Sequence, residues 1–496
     1  MSRINTNIES LVARRALSIN NASLNQALER LSTGLRINSG KDDPAGLIAS
    51  ETLRSSLRAI STAIDNANRA DTIVAVAEGG LQEISSLLLQ LENLIDQSAN
   101  EAGLTPEEIT ANQLQIDAIL QSIDRLAEGT AFGDKKLLNG SLAFTTSGIN
   151  VNQATRATLT HLNKVQINAA KIPAGSYRNV IINVVKKSEF AYISAVGAGT
   201  NSSGVRNGTI ARATTLQVRG NYGSEVFSFA SGTTAANIAA AINASKELTG
   251  VAATTSAATG GPPSIIFQST GYGNDAFVSV SVLQNATTAF VSQPAEKTDY
   301  GADGIVTVNG TNAVVSGLDA SVRTGSLSLD LTFTPSFGGT TGGTSSFQIL
   351  GGGAVFSISP TVGLSGQESI GISEVSAAKL GNADVGLLST LGSGMGNDLA
   401  SKKFSTAQRI VRAAINQIAS LRGRLGAFQK NTLVTTVNSL QIARENVTAA
   451  ESAIRDADFA LETSNLTRAQ ILVSSSTSVL QLANARAQNV LVLLGG

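Results

Sequence analysis

The chain has 496 residues, 36 Lys+Arg against 36 Asp+Glu, no Cys, no Trp and a single His. That length supports several domains with sizeable cores, and the even charge balance offers no global field for nucleic acid or an anionic membrane. Without thiols, and with one imidazole, disulfides and thiol catalysis are excluded and a structural zinc site lacks its usual ligands. The opening MSRINTNIESLVARR has no apolar core of a cleavable signal peptide, and no run reaches the ~18 apolar residues of a membrane span. The first aromatic residue is Phe132 and none follows Phe459. Both ends are rich in Ala, Leu, Ile, Ser, Asn and Gln, whereas residues from about 145 to 370 are dominated by Gly, Thr, Ser and Val. The expected organisation is helix, strand, helix, with the ends as partners and the middle as an insertion.

In chain order, residues 3–32 read as one helix with Leu17, Leu24 and Leu31 in column and Leu28 beside them. LSTGLRINSGKDDPAG (31–46) follows, and it superficially resembles a phosphate loop. Its two glycines, Gly34 and Gly40, are separated by five residues rather than four, and Lys41 is followed by Asp42, not Ser or Thr. It reads instead as a connector: Gly34, Asn38, Ser39 and Gly40 break the helix, Asp43 caps the next one, and Pro44 takes its first position.

From Leu53 an apolar residue recurs every seventh position: Leu53, Ile60, Ala67, Val74, Leu81, Leu88 and Ile95, with Leu57, Ile64, Ala70, Ala77, Ile84 and Leu91 beside them. A strict seven over roughly 60 Å of helix predicts a coiled coil. Gly79–Gly80 marks a kink or a close approach. Thr105-Pro106-Glu107-Glu108 forms a capping box for a third helix, with Ile109, Ile116 and Ile123 in one column and Ile119 and Leu126 in the other. Gly129 ends it, and Asn139-Gly140 announces hairpins.

In the middle, strands around Leu216–Val218 and Val226–Phe229 lead to a helix, TTAANIAAAINAS, then to strands at Val251–Ala252, Ile265–Phe267 and Phe277–Val282. The return segment is helical again. Val411, Ile418 and Leu425 alternate with Ala414, Leu421 and Phe428; the pattern slips by one residue and continues through Leu433, Leu440, Val447, Ile454 and Leu461. Leu466, Val473, Leu480, Ala487 and Leu494 carry it to the end.

LSTGLRINSGKDDPAG, AEGGLQEISSLL, SLRGRLGAFQ and IRDADFALETSNLTRAQILVSSSTSVLQLANARAQNVLVLL together resemble bacterial flagellin, over roughly residues 1–145 and 370–496. Residues 214–283 also resemble the small insertion module of flagellins and hook-associated proteins. The resemblance implies an α+β protein: a long antiparallel coiled-coil core built from both termini, with a β-rich central insertion forming outer domains. The expected partition is 1–43 with 461–496 as an inner helical domain, 44–175 with 345–460 as a second coiled-coil domain carrying a β-hairpin, and 176–344 as the outer region. It implies a homopolymer, the extracellular flagellar filament, in which Leu17, Leu24, Leu31, Leu53, Ile60, Val74, Leu81, Leu88, Ile95, Leu440, Val447, Ile454, Leu466, Val473, Leu480 and Leu494 form the assembly seams. Gly34, Asn38, Gly40, Asp43 and Pro44 form the connector. Other implied partners are the flagellar export apparatus, an export chaperone, the filament cap and hook-associated proteins. Nucleic acid, membrane, metal and cofactor are not expected.

Two rival functions compete with this reading. An enzyme would need chemistry that is missing: His161, in TLTHLNKVQ, lacks a Glu-x-x-His context and reads as a surface or strand residue. Gly423-Arg424-Leu425-Gly426 looks like the loop of an RNA-binding module, but it lies inside the heptads and reads as close helix packing. The second rival is the hook–filament junction protein of the same family; NARAQNVLVLL and NSGKDDPAGLIASE fit flagellin better. In flagellins sensed by an animal Toll-like receptor, a basic patch lies on the helix aligned with LLLQLENLIDQSAN; here those positions hold Gln90, Leu91 and Glu92, so weak or absent recognition is expected.

Overall fold

The computed structural model describes residues 6–100, 103–151, 161–173, 175–195, 205–206, 209–210, 213–256, 264–284, 296–382 and 385–494, with side chains of the last helix described as far as Arg486. The terminal segments are helical, as the seven-residue columns require. α1 (Ile8–Thr33) begins at Asn7, whose side chain accepts from the Ser10 amide, and ends at Gly34 in the left-handed conformation, φ 71°. α2 (Pro44–Ser98) runs unbroken for 55 residues, about 80 Å at 1.5 Å per residue. α3 (Pro106–Gly129) carries the expected capping box between Thr105 and Glu108.

Contacts divide the chain into two units. The first comprises Met1–Asp71, Ser357–Gly366 and Gln429–Gly496. In it α1 packs antiparallel on α9 (Phe459–Leu494), and Ile60, Ala63 and Ile64 of α2 pack on Leu440, Val437 and Val447 of α8 (Thr435–Arg455). The expected column through Leu461 does not continue. α8 stops at Arg455, Asp456 turns to extended backbone, and Asp458 caps a new helix by accepting from the amides of Ala460 and Leu461. Leu461 is left exposed.

The second unit comprises Thr72–Phe356 and Gln367–Phe428 and holds three cores. The helical core gathers the α2 columns Val74, Leu81, Leu88 and Ile95 with Ile84 and Leu91, all at most 1% exposed, against α3 and α7 (Phe404–Ala427). On α3 the buried line runs Ile116, Leu120, Ile123 and Ala127, so the expected second column of Ile119 and Leu126 sits at its margin. Gly80 is a close approach: an added Cβ would lie 2.6 Å from Thr130 Oγ1, whereas Gly79 faces open space. By length and composition α2 is apolar enough to cross a membrane, but from Val74 to Ile95 its apolar column is spent in this core. Between α7 and α8, residues Phe428–Val434 form a π-helix. The extra residue that such a turn accommodates accounts for the eight-residue step from Leu425 to Leu433.

A small hairpin of β1 (Ala131–Phe132) and β2 (Lys135–Lys136) follows α3, and Asn139–Gly140 turns the chain into β3 (Phe144–Val151), with Gly140 at φ 85°. The second core lies between two antiparallel sheets. One has the order β16 (Thr311–Asn312), β15 (Ile305–Val308), β5 (Arg178–Lys186), β20 (Thr344–Gly352), β3; the other has β17 (Val314–Ser316), β18 (Asp319–Arg323), β19 (Leu327–Phe333), β4 (Leu162–Ala170). Val180, Ile182, Leu329, Leu331, Phe333 and Phe347 fill it. The expected cuts at 175/176 and 344/345 fall inside this core.

The third core is the insertion module. Its sheets are β10 (Ser224–Phe229), β9 (Thr214–Gly220), β13 (Phe277–Gln284), β14 (Glu296–Tyr300), and β11 (Val251–Ser256), β12 (Ser264–Ser269), β6 (Tyr192–Ala195). α4 (Ala235–Ala244) buries Ile238 and Ile242 among them, and α5 (Lys246–Thr249) is a single turn beside it. Every strand anticipated between 214 and 283 is present; β6 and β14 extend the module on either side. His161, read as a surface or strand residue, immediately precedes β4 and is buried, its ring stacked 4.6 Å from Phe337 in α6 (Pro335–Gly338).

Candidate functional site

The α1–α9 pair is unlike the cores above, because the apolar residues it buries are small. Ala13 and Ala27 of α1 and Ala469 and Ala483 of α9 are 3–6% exposed. Each pair is two heptads apart, and the position midway between each is polar: Asn20 and Ser476. Asn20 Nδ2 donates to Ser476 Oγ at 2.6 Å and reaches the Leu472 carbonyl at 3.4 Å. The seam is therefore a column of small side chains with a hydrogen bond at its centre, an arrangement that brings backbones close and fixes register. Leu17, Leu24, Leu31, Leu466, Val473 and Leu480, expected as the seam, flank it half-buried. Leu494 closes α9, and its side chain lies outside the described ones. This column was missed because Ala, Asn and Ser carry little hydropathy; the seven-residue spacing was the available signal.

Polar ties close the pair along its length. Asn7 Nδ2 donates to the Ala483 carbonyl at 3.0 Å, Ser10 Oγ to Asn484 Oδ1 at 2.9 Å, and Arg486 lies 3.4 Å from Glu9. At the other end Arg30 pairs with Glu462 at 3.0 Å, the glutamate side chain only 7% exposed. The outward faces stay apolar: Ile8, Leu11, Val12 and Ile19 on α1 and Ile471, Leu472, Val479 and Leu482 on α9 are 44–63% exposed.

The connector is a built structure. The Gly34 amide donates to the Arg30 carbonyl, and Leu35 makes a β-bridge with Asp456. Around that bridge Arg36 N–H donates to Arg455 O at 2.7 Å and Ala457 N–H to Gly34 O at 2.9 Å, so the two interruptions of the helices are joined. The Arg36 guanidinium also donates to the Ile454 carbonyl. Ile37 is 1% exposed and anchors the loop. Asp42 Oδ2 accepts from the amides of Asn38 and Ser39 and from the Ser39 hydroxyl. The Ser39 amide, then its hydroxyl, holds the Asp42 carboxyl below its ordinary value against a small opposing effect of burial. Asp43 caps α2: Oδ1 accepts from Gly46 N–H at 2.9 Å and its carbonyl accepts from Leu47 N–H. A Cβ at Gly46 would meet the Asp43 carboxylate and lie 2.6 Å from Ile37 Cδ1, so a larger residue here would have to displace the capping side chain and the buried Ile37. Gly40 is exposed.

Of the remaining seam residues, Ile60, Val74, Leu81, Leu88, Ile95 and Leu440 are buried within the subunit, and Leu53, Val447 and Ile454 are half-buried.

Comparison with known proteins accounts for this pattern of paired ends. The bacterial flagellin N-terminal helical region matches residues 4–143, the C-terminal helical region matches 409–494, and the flagellin hook IN motif matches 215–271. A flagellin of Salmonella rubislaw is 30% identical over 523 residues, covering 99% of both chains. This chain is a member of the bacterial flagellin family. Flagellin B of Helicobacter pylori is 29% identical over 532 residues with the same coverage, and flagellin E of Vibrio cholerae is 44% identical over 137 residues, covering 28% of this chain and 36% of that one. As a flagellin, the chain is a structural, non-enzymatic subunit of the extracellular flagellar filament. On α2, Gln90 is exposed, Leu91 is fully buried and Glu92 pairs with Arg412 at 2.8 Å.

Proposed function

We propose that this flagellin is exported through the channel of the growing filament and that α1 and α9 complete their folding as they stack on neighbouring subunits. What supports coupled folding is the thin seam of the α1–α9 pair, which buries alanines and leaves a row of Ile, Leu and Val half in water on both helices. Helices of this composition are marginal alone. Covering the exposed half of each large side chain contributes about 1 kcal/mol, and repeated head-to-tail contacts propagate an open helical polymer. In this reading residues 1–43 with 461–496 form the inner domain. The connector at Gly34, Asn38, Gly40, Asp43 and Pro44 links it to α2. The half-buried Leu17, Leu24, Leu31, Leu466, Val473 and Leu480 take part in subunit contacts. An export apparatus, an export chaperone, the filament cap and hook-associated proteins are the further partners that membership of the family proposes.

Circular dichroism before and after polymerisation tests the mechanism. Helicity per residue rises as filaments form; monomers already as helical as filaments would defeat it. Seeded growth tests the role, with elongation into long filaments expected rather than arrest at a short collar.

A further inference from the structure

Of the two sheets that enclose the second core, one has an outer face without charge. β3, β5, β15, β16 and β20 hold only two charged residues among them, Arg178 and Lys186, the first and last of β5. Arg178 is turned to the other sheet, its guanidinium donating to the Ser326 carbonyl and hydroxyl at 3.0 Å. Lys186 stands at the rim, beside the β-bulge opposite Ile305. The facing sheet is different: Lys164, Asp319, Arg323 and Asp330 lie along its strands, and Arg323 pairs with Asp330 at 2.6 Å.

Strand register collects the side chains of the uncharged face. Val180, Ile182 and Val184 of β5 and Phe347 and Ile349 of β20 point into the core, so Asn179, Ile181 and Asn183 point out. Opposite them on β20 stand Gln348, Ser346 and Thr344, in that order. Thr307 of β15 lies opposite Asn183, and Ser147 of β3 opposite Gln348. Directly opposed residues share a face. The result is a field of amides and hydroxyls, groups that both donate and accept. Ile181 is set within it, with Val185 and Ile305 toward one end and Leu350 toward the other; all four are 42–55% exposed. Charge of one sign keeps like surfaces apart. This surface has none, and its apolar residues are gathered on one side of a sheet, the mark of an interaction surface. β5 and β20 are nine residues each. With β3 and β15 beside them at about 4.8 Å per strand and ~3.3 Å per residue, the face covers roughly 500 Å². Two copies placed face to face bury about 1,000 Å², the lower bound of a specific contact.

We propose that this face is a self-association surface whose occupant is the same face of a second copy of the chain. Uncharged amides and hydroxyls are complementary to themselves about a two-fold axis, and Ile181 supplies the apolar centre. A contact of this size is weak between free chains. In a filament every subunit presents one, and many acting together join filaments side by side. The inference rests on the chain's membership of a filament-forming family and uses neither α1 nor α9, so seeded elongation reports separately on coupled folding. The test is sedimentation velocity of the full unseeded chain over rising concentration, with electron microscopy of seeded filaments. A reversible monomer–dimer equilibrium is expected, little changed between low and high sodium chloride because no ion pair lies in the contact, and filaments should lie in contact along their sides. Ile181→Lys places like charges against each other and should weaken the dimer about tenfold or more. Its filaments should form at the parent rate and stay dispersed. Val226→Lys, at an exposed position of β10, should leave association unchanged. If Ile181→Lys fails to fold, Asn179→Lys gives the reading. A parent chain that stays monomeric throughout, a folded variant that associates like the parent, or association that salt dissolves overturns the proposal.

Discussion

Replacing Gly46 with alanine sets helix propensity against geometry. The substitution favours a helix by ~1 kcal/mol, but the new Cβ meets the Asp43 carboxylate and Ile37 Cδ1, and losing the cap and straining a packed contact costs about 1–3 kcal/mol. Gly46→Ala is therefore expected to lower the denaturation midpoint and slow filament elongation, whereas Gly79→Ala, facing open space, should not. Glu462→Gln leaves Arg30 without its countercharge; with Arg30 still 22% exposed, a loss of about 2–3 kcal/mol is expected, read as a lower melting temperature of assembled filaments. Asp42 yields a pH dependence of definite sign. Its carboxyl is held below the ordinary 3.8 in the folded chain, so its contribution is present at neutral pH and is lost as pH falls through the lowered value. The stability difference between the parent chain and Asp42→Asn should be open at pH 7 and closed in strong acid. Asp43 and Pro44 were legible in the sequence because capping is local chemistry. The role of Gly46 was not, because it depends on Ile37 folding back; nor was the burial of His161, whose ring stacks on Phe337, 176 residues away.

Periodicity made α2, α3 and the α7–α8 run readable, and even the slip between Leu425 and Leu433 was visible before its cause, the π-helix, was. Deleting Lys430, exposed within that π-helix, restores a seven-residue step and should yield a folded chain with undiminished helicity by circular dichroism. Inserting a second residue there should instead take Leu440 out of its column and lower the thermal midpoint. What periodicity could not reveal was the choice between two columns on the same helix. Leu17, Leu24 and Leu31 outrank Ala13, Asn20 and Ala27 in hydropathy, yet Ala13 and Ala27 are the buried positions and Asn20 bonds across to Ser476. Ala27→Leu is expected to push α1 from α9 and abolish seeded elongation, with the second unit's thermal transition unchanged. The break after Arg455 was likewise overrun: Asp456 and Asp458 are cap residues, and an apolar column reads straight through them.

Across the molecule, the division into helical ends and a β-rich middle was plain from where aromatics and glycines fall. The pairing of distant strands was not. β4 and β5 straddle residue 175 and share one core, and β6 and β14 join a module whose local pattern spans only 214–283. Such partnerships depend on contacts far apart in the chain, which no window of residues records. Removing residues 463–496 deprives α1 of its partner and should abolish filament growth in a sedimentation assay. With Leu91 buried and Glu92 held by Arg412, a Toll-like receptor reporter assay is expected to respond weakly or not at all. Finally, the bridge of Leu35 to Asp456 ties the break between α1 and α2 to the break between α8 and α9. A rotating propeller loads its subunits in torsion. With the two breaks bonded to each other, twisting one run at that height has to strain or break its bonds to the other.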